Sequence, residues 1–171
     1  MEAKYSKRLM LACVVVCMML PSAAHADWET IIPTNSFSNF NSYWSQYYPW
    51  GQTHNGSAKM ESYQVHVNNG VLNIDAQQPG TDGYKYRSGA INSLDLITLN
   101  DDYPQWEVRG EFRAPAETGA WPAFWLNGAW NWPPEIDIME YKGDNYNWQN
   151  TYDGGWENKT TWLSNPWDWH E

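Results

Sequence analysis

Hydrophobic and polar residues alternate along several short stretches of the chain, which is the period-two pattern of half-buried β-strands. Residues Tyr63–Val67 alternate in this way, and the alternation resumes over Val71–Ala76. Between the two stretches lies Asn68-Asn69-Gly70, a sequence typical of a tight turn. An Asn-Gly pair between two alternating stretches predicts a β-hairpin.

Further short strands are predicted along the rest of the chain, separated by Gly and Pro residues. They lie at Tyr84–Arg87, Gly89–Ser93, Trp106–Arg113, Ala123–Leu126 and Glu135–Tyr141, and near Thr151 and Trp162. Residues 27–56 are predicted to form a loop, and no window keeps the period of a helix. The pattern therefore predicts an all-β protein, most simply a jelly-roll sandwich of two antiparallel sheets.

One of the predicted strands carries three acidic residues among apolar neighbours. The stretch 132–142 has the sequence WPPEIDIMEYK, and its acids are Glu135, Asp137 and Glu140. Residues i and i+2 of a strand share a face, so Glu135 and Asp137 should point the same way. A regular pleat would turn Glu140 to the opposite face, but a β-bulge at Ile138-Met139 would bring it back.

Three acids on one face suit the hydrolysis of a glycosidic bond. Four strand steps of roughly 3.3 Å place the two Glu backbones about 13 Å apart, and inward-leaning side chains bring their carboxylates to about 5 Å. A retaining glycosidase holds its nucleophile and its general acid/base at ~5–5.5 Å. Asp137, between them, would hydrogen-bond the nucleophile and keep the two pKa values apart.

Two other interpretations of the acidic strand stay open. The carboxylates could form a solvated face, although the apolar and aromatic residues around them would make their burial costly. They could also bind calcium, since a carboxylate cluster suits a hard cation. Ligands spread along one strand converge poorly on one point, so we expect no metal there and no required cofactor; a structural calcium site stays open as an alternative.

The N-terminus predicts an export signal over residues 1–26. Three basic residues precede an apolar stretch at Leu9–Leu20, and Ala24-His25-Ala26 resembles a cleavage site. The apolar stretch is too short to span a bilayer as a stable helix. We therefore expect a secreted protein, extracellular or periplasmic, with no stable membrane association after cleavage. Cleavage would also remove Cys13 and Cys17, so no disulfide is expected.

Charge and aromatic content narrow the class of partner. Residues 27–171 hold seven basic and nineteen acidic side chains, and the resulting net charge of −12 disfavours nucleic acid, anionic membranes and polysulfated polymers. The whole chain contains 13 Trp and 11 Tyr residues, whose flat apolar faces and polar edges suit stacking on sugar rings. A neutral polysaccharide is the expected partner, and the chain is expected to be a monomer.

Several motifs, in order along the chain, resemble glycoside hydrolase family 16 and its laminarinase-like endo-β-1,3-glucanases. The hexapeptide Glu-Ile-Asp-Ile-Met-Glu at 135–140 is similar to the bulged form of the family's catalytic signature. Other family motifs are resembled by Ser-Gly-Ala-Ile at 88–91, Tyr-Pro-Gln-Trp-Glu-Val-Arg at 103–109, Gly-Ala-Trp-Pro-Ala-Phe-Trp-Leu at 119–126 and Trp-His-Glu at 169–171. The similarity runs from about Val65 to Glu171.

The resemblance implies a β-jelly roll with a concave substrate cleft and a retaining mechanism. By motif position Glu135 is the nucleophile, Asp137 its partner and Glu140 the general acid/base. Substrate contacts are expected at Trp121, Trp125, Trp130, His170 and Arg87. An ordinary structural role is an alternative for Trp125 and His170. Because the family's domain continues beyond the last motif here, residues 27–171 are expected to be its N-terminal portion.

The expected function is secreted endo-hydrolysis of a β-glucan with β-1,3 or mixed β-1,3-1,4 linkages. A hydrolase of marine galactans such as agar or carrageenan would use the same acids, and so would a transglycosylase. A β-glucan-binding protein is the non-enzymatic alternative. Such a protein should lack one of the two glutamates, and here both Glu135 and Glu140 are present.

Overall fold

The computed structural model describes residues 28–78 and 82–171, so the predicted export signal lies outside the described residues. The chain divides into two units, Met1–Pro33 and Thr34–Glu171. The described part of the first unit has no regular secondary structure. Within the described ranges, no helix has the length and apolar character needed to cross a membrane.

The second unit consists mainly of short strands. Its helical turns are two 3₁₀ segments, Ser36–Asn39 and Ser62–Gln64, and α1 at Phe40–Tyr43. Its strands are β1 (Trp44–Gln46), β2 (Ala58–Met60), β3 (Val65–Asn68), β4 (Val71–Ile74), β5 (Tyr86–Ser88), β6 (Ile91–Ser93), β7 (Ala123–Asn127), β8 (Glu135–Glu140), β9 (Tyr146–Tyr152) and β10 (Trp156–Trp162). The predicted all-β class is confirmed, and the mainly antiparallel sheets agree with a jelly-roll sandwich.

The described strands pair into four sheets. Three are two-stranded, namely antiparallel β1–β6, parallel β2–β5 and antiparallel β3–β4, and the fourth is antiparallel with the order β10-β9-β8-β7. The predicted hairpin is confirmed as β3–β4, with Asn68 opposite Val71. Its turn residues Asn69 and Gly70 have φ values of 52° and 77°, as the tightest hairpin turns require.

Two segments differ from the sequence prediction. Trp106–Arg113 is not a strand, because among the described residues its backbone pairs with another segment only at Phe112, opposite His170. A strand requires a continuous ladder of hydrogen bonds to a neighbour. The predicted N-terminal loop contains α1 and β1, since β1 finds an antiparallel partner in β6.

The apolar core of the described residues packs against one face of the four-stranded sheet. Its buried members are Ala116, Met139 and Tyr141, with Phe112, Ala114, Phe124 and Leu163 packed against them. Met139 on β8 lies directly opposite Phe124 on β7. The opposite face of the same sheet is therefore free to carry polar side chains.

Candidate active site

The three acids of the predicted site lie on one face of the four-stranded sheet. Alternate residues of β7 share a face, and they are Ala123, Trp125 and Asn127. Their partners on β8 are, in the same order, Glu140, Asp137 and Glu135. Side chains directly opposite each other in an antiparallel pair project from the same face, so all three carboxylates face the same side.

A β-bulge makes this common orientation possible. The pairing with β7 passes from Met139 directly to Asp137 and skips Ile138. Without the extra residue, Glu140 would point away from Asp137, because it lies three positions further along the strand. The bulge is confirmed at the predicted place. It leaves Met139 in the core beside Phe124 and turns Glu140 towards the other acids.

Asn150 on β9 bridges two of the acids. It lies opposite Asp137 in the β8–β9 pair. Its amide nitrogen donates hydrogen bonds to Oδ2 of Asp137 (2.9 Å) and to Oε2 of Glu140 (3.0 Å). All three side chains are buried. A single amide therefore holds two carboxylates close together despite their like charge.

Glu140 receives hydrogen bonds from two further side chains. The indole N–H of Trp121 donates to Oε1, and Nζ of Lys142 lies 2.7 Å from Oε2. Lys142 also lies over the ring of Trp148, 5.4 Å from its centroid, in a cation–π contact. A buried carboxylate requires such donors, and here both oxygens of Glu140 are satisfied.

Glu135 lies next to a row of aromatic rings. Its Oε2 accepts a hydrogen bond from the indole N–H of Trp132 at 2.9 Å. Trp132 stacks on Tyr152, the β9 residue opposite Glu135, with ring centroids 4.6 Å apart and planes 9° apart. Tyr152 in turn contacts Trp156, 4.7 Å between centroids. Trp132 and Trp156 are exposed, so flat apolar faces are available to a ligand beside Glu135.

The pKa of Glu135 is raised above its ordinary value. Partial burial is the largest cause, and the nearby negative charges of Asp137 and Glu140 act in the same direction. The hydrogen bond from Trp132 and the charge of His54 act in the opposite direction. Burial and like charge thus make Glu135 harder to ionise than a free glutamate.

The pKa of Asp137 is raised as well. Burial is again the largest cause, and the charge of Glu140 adds to it. The hydrogen bond from Asn150 and the charge of Lys142 lower the pKa in part. Neighbouring acids with perturbed pKa values are typical of catalytic carboxylates.

Three aromatic residues of the N-terminal segment also reach this face, and none of them is among the predicted site residues. Trp125, opposite Asp137, contacts the rings of Tyr48, Trp50 and His54 at centroid distances of 6.4, 6.0 and 5.6 Å. Tyr48 and Trp50 stack in parallel, 5.0 Å apart. We call these four residues the Trp125 cluster. The density of aromatic residues over 44–54 was the available signal.

The predicted substrate contacts divide into two groups. Trp121 and Trp125 lie beside the acids, as described above. Trp130 is 88% exposed, and among the described residues it makes no hydrogen bond or ring contact with the acids. His170 donates a hydrogen bond from Nε2 to the carbonyl of Asn165 at 2.8 Å. Substrate contact by all four residues stays a prediction.

The guanidinium of Arg87 contacts neighbouring acidic side chains and the backbone. It is buried on β5 and forms an ion pair with Asp82 and a longer one, 3.7 Å, with Glu61. Its guanidinium also donates to the carbonyl of Tyr86 at 3.0 Å. These contacts account for the burial of its charge, and its role in substrate binding stays a prediction.

Other site neighbours were absent from the sequence prediction. They are Trp132, Lys142 and Asn150. The first two flank the acidic strand in the sequence, so nearness along the chain could have indicated them. Asn150 is recognisable only from the register of β8 and β9.

No metal centre is evident in the described part of the chain. Over 28–78 and 82–171, no group of three or more His, Cys, Asp or Glu side chains is arranged to hold a metal ion. The expectation that the protein requires no cofactor stays a prediction.

Comparison with known proteins agrees with a carbohydrate-cleaving site. No protein-family model matches the chain. The chain is 39% identical to a galactan endo-beta-1,3-galactanase of Flammulina velutipes over 170 residues, which covers 92% of this chain and 68% of that protein. It is also 39% identical over 88 residues to two endo-1,3-1,4-beta-glycanases of Rhizobium meliloti, ExsH and EglC, covering 47% of this chain and 18% of each of them.

Proposed function

The chain belongs to the endo-acting glycoside hydrolases of family 16, and we propose that it cleaves internal β-1,3 linkages of a galactan with retention of anomeric configuration. One observation carries the proposed mechanism: Glu135, Asp137 and Glu140 share one face of a sheet through a β-bulge. The choice of galactan rests on the relative that matches 92% of this chain, which is named as a galactanase.

The proposed reaction has two steps, and Glu135 and Glu140 act in both. In the first step the carboxylate of Glu135 attacks the anomeric carbon, while Glu140 protonates the leaving glycosidic oxygen. In the second step Glu140, now ionised, takes a proton from water, and that water attacks the same carbon and releases Glu135. Asp137 lies between the two glutamates along β8, where its charge acts on Glu135.

Aromatic surfaces on the same face support a polysaccharide substrate. The Trp125 cluster packs beside Asp137, and the row of Trp132, Tyr152 and Trp156 adjoins Glu135. Flat rings of this kind stack on the apolar faces of sugars. Several such surfaces beside one catalytic set suit a substrate of several linked sugars, as endo-cleavage requires.

We further propose that residues 1–26 direct export and are removed, and that the secreted enzyme acts as a monomer without a cofactor. The basic, apolar and small-residue regions of the signal support the export proposal. N-terminal sequencing of the secreted protein should begin at Asp27. An intact Met1 on secreted protein would contradict cleavage.

A β-1,3-glucan or mixed-linkage glucan is the second candidate substrate. The two Rhizobium relatives are named as endo-1,3-1,4-glycanases, and the motif at 135–140 resembles that of laminarinases. Transglycosylation would begin with the same first step, with a sugar instead of water as acceptor in the second.

The test is a side-by-side assay on β-1,3-galactan, laminarin, lichenan and agarose. The full-length protein and its Glu135→Gln variant are incubated with each polymer, and the products are separated by size. We expect a ladder of β-1,3-galacto-oligosaccharides from galactan and none with the variant. Cleavage of laminarin or lichenan alone would assign the site to glucan. Binding of a glycan without cleavage of any would overturn the enzymatic proposal.

A further inference from the structure

We propose that Asn147 is a positioning residue that holds the β-bulge in place and thereby sets the position of Glu140 without touching the substrate. The inference rests on the proposed function, because Glu140 is the general acid/base there. Asn147 lies on the face of the sheet opposite the three acids.

Asn147 replaces the hydrogen bonds that β8 and β9 lose at the bulge. The ladder between the two strands covers Glu135 to Asp137 and then ends. Beyond it, Oδ1 of Asn147 accepts a hydrogen bond from the backbone N–H of Glu140 at 3.0 Å. Nδ2 of Asn147 donates to the carbonyl of Ile138 at 3.3 Å. One side chain therefore satisfies backbone groups on both sides of Met139.

Asn147 acts from the face of the sheet that points away from the acids. Strand β9 pairs residue by residue with β10 from Tyr146 to Tyr152, so its pleat is regular. Residues three positions apart on a regular strand project from opposite faces. Because Asn150 points towards the acids, Asn147 projects from the other face. A sugar bound at the carboxylates is therefore out of its reach.

The chemistry of the amide explains why this residue suits the position. A primary amide both donates and accepts, so it can bond the carbonyl of Ile138 and the N–H of Glu140 at once. Alanine would leave both backbone groups without a partner, which is costly for partly buried groups. A shift of register by one residue at the bulge would relieve this loss, and such a shift turns Glu140 away from the acid face.

The test compares two substrates that differ in their need for a general acid. A polysaccharide leaving group must be protonated by Glu140, whereas a dinitrophenolate leaving group needs no proton. The values of kcat/KM are measured on β-1,3-galactan and on dinitrophenyl β-1,3-galactobioside. The variants are Asn147→Ala and Asn147→Asp, and Glu140→Ala supplies the reference pattern.

The matched control is Gln149→Ala. Gln149 lies on the same strand and the same face as Asn147. Its replacement by alanine removes only the 3.3 Å hydrogen bond that the hydroxyl of Thr161 donates to its side chain, away from the bulge. We expect Asn147→Ala to lose roughly 100-fold in kcat/KM on galactan while staying near wild type on the aryl glycoside. Gln149→Ala should keep wild-type values on both substrates.

Two results would overturn the positioning role. One is an equal loss on both substrates, which indicates general damage to the fold, and the other is wild-type activity of Asn147→Ala on both. If Asn147→Ala does not fold, Asn147→Asp carries the same comparison. It keeps an acceptor for the N–H of Glu140 but sets a carboxylate oxygen against the carbonyl of Ile138 in place of the donor, so its loss on galactan should also be selective.

Amide hydrogen exchange separates this inference from the proposed function, because it does not depend on activity. The backbone N–H of Glu140 should be protected in the wild type and in Gln149→Ala, and should exchange at least about tenfold faster in Asn147→Ala. If the wild type cleaves none of the glycans, the proposed function fails while exchange still tests the contact. Equal protection in all three proteins would contradict the role of Asn147.

Discussion

Trp125 on β7 lies directly opposite Asp137 on β8, although a ladder counted evenly from Ala123 and Glu140 would place Ile138 there. This shift of one residue decides which side chains face the site. It turns Asp137 and Glu140 to the same side and returns Met139 to the core. The candidate catalytic set therefore depends on a feature of the backbone as well as on the acids themselves.

Removal of one indole N–H should slow hydrolysis without unfolding the protein. Trp121→Phe keeps an aromatic ring but loses the hydrogen bond to Oε1 of Glu140. Glu140 becomes ionised as it protonates the leaving oxygen, and a hydrogen bond to a charged group contributes about 1.5–3 kcal/mol, so kcat/KM on the cleaved glycan should fall roughly 10- to 150-fold.

Trp106→Phe is the matched control for this substitution. It also loses one indole hydrogen bond, a 3.0 Å contact with the carbonyl of Thr98. It should keep wild-type kcat/KM. A similar fall in both variants would indicate that Trp121 acts through stability alone.

Asn150 should hold down the pKa of Asp137. Its amide hydrogen bond is the largest of the contributions that lower this pKa against the effect of burial. In Asn150→Ala the titration midpoint of the Asp137 carboxyl, followed by ¹³C NMR, should therefore move to higher pH. Asn158→Ala is a suitable control, since Asn158 is the exposed neighbour of Asn150 on β10. An unchanged midpoint in Asn150→Ala would contradict the bridging role.

Local patterns in the sequence were sufficient for the hairpin and for the acidic face. Asn69 and Gly70 favour the turn because Asn and Gly adopt a positive φ with little conformational strain. In a regular strand the spacing of Glu135, Asp137 and Glu140 would turn Glu140 to the face opposite the other two acids. Only a bulge puts all three on one face, so the bulge could be predicted from the sequence. In both cases neighbouring residues along the chain contain all the information.

Other parts of the site depend on pairing between distant segments, which a single sequence does not reveal. The bridge from Asn150 requires the register of β8 and β9. The Trp125 cluster requires residues 48–54 to pack near β7. Trp106–Arg113 has the alternation of a strand, but its single bridge at Phe112 does not make one. Propensity favours a strand only where a partner is available.

The raised pKa of Glu135 predicts a pH-dependent gain in stability when its charge is removed. The folded state favours the protonated carboxyl, so this group's stabilisation is fully present below the ordinary value of 4.5 and is lost as the pH rises through the folded pKa. Glu135→Gln cannot ionise and keeps an acceptor for the indole N–H of Trp132. The Tm of the variant relative to the wild type should therefore be higher at about pH 7 than at about pH 3.

Thermal unfolding followed by circular dichroism at the two pH values measures this difference. If the wild type and Glu135→Gln differ in Tm by the same amount at both pH values, folding does not raise the pKa of Glu135.

Covalent trapping can identify the residue that attacks the sugar, which we propose to be Glu135. A fluorinated dinitrophenyl β-1,3-galactobioside, with fluorine at the 2-position of the reacting sugar, slows the second step, so the glycosyl-enzyme ester accumulates. The protein is then digested and its peptides are analysed by mass spectrometry. We expect one glycosyl group on the peptide that contains the acidic strand, located on Glu135 by fragmentation. A label on Asp137, on Glu140 or on another residue would contradict it.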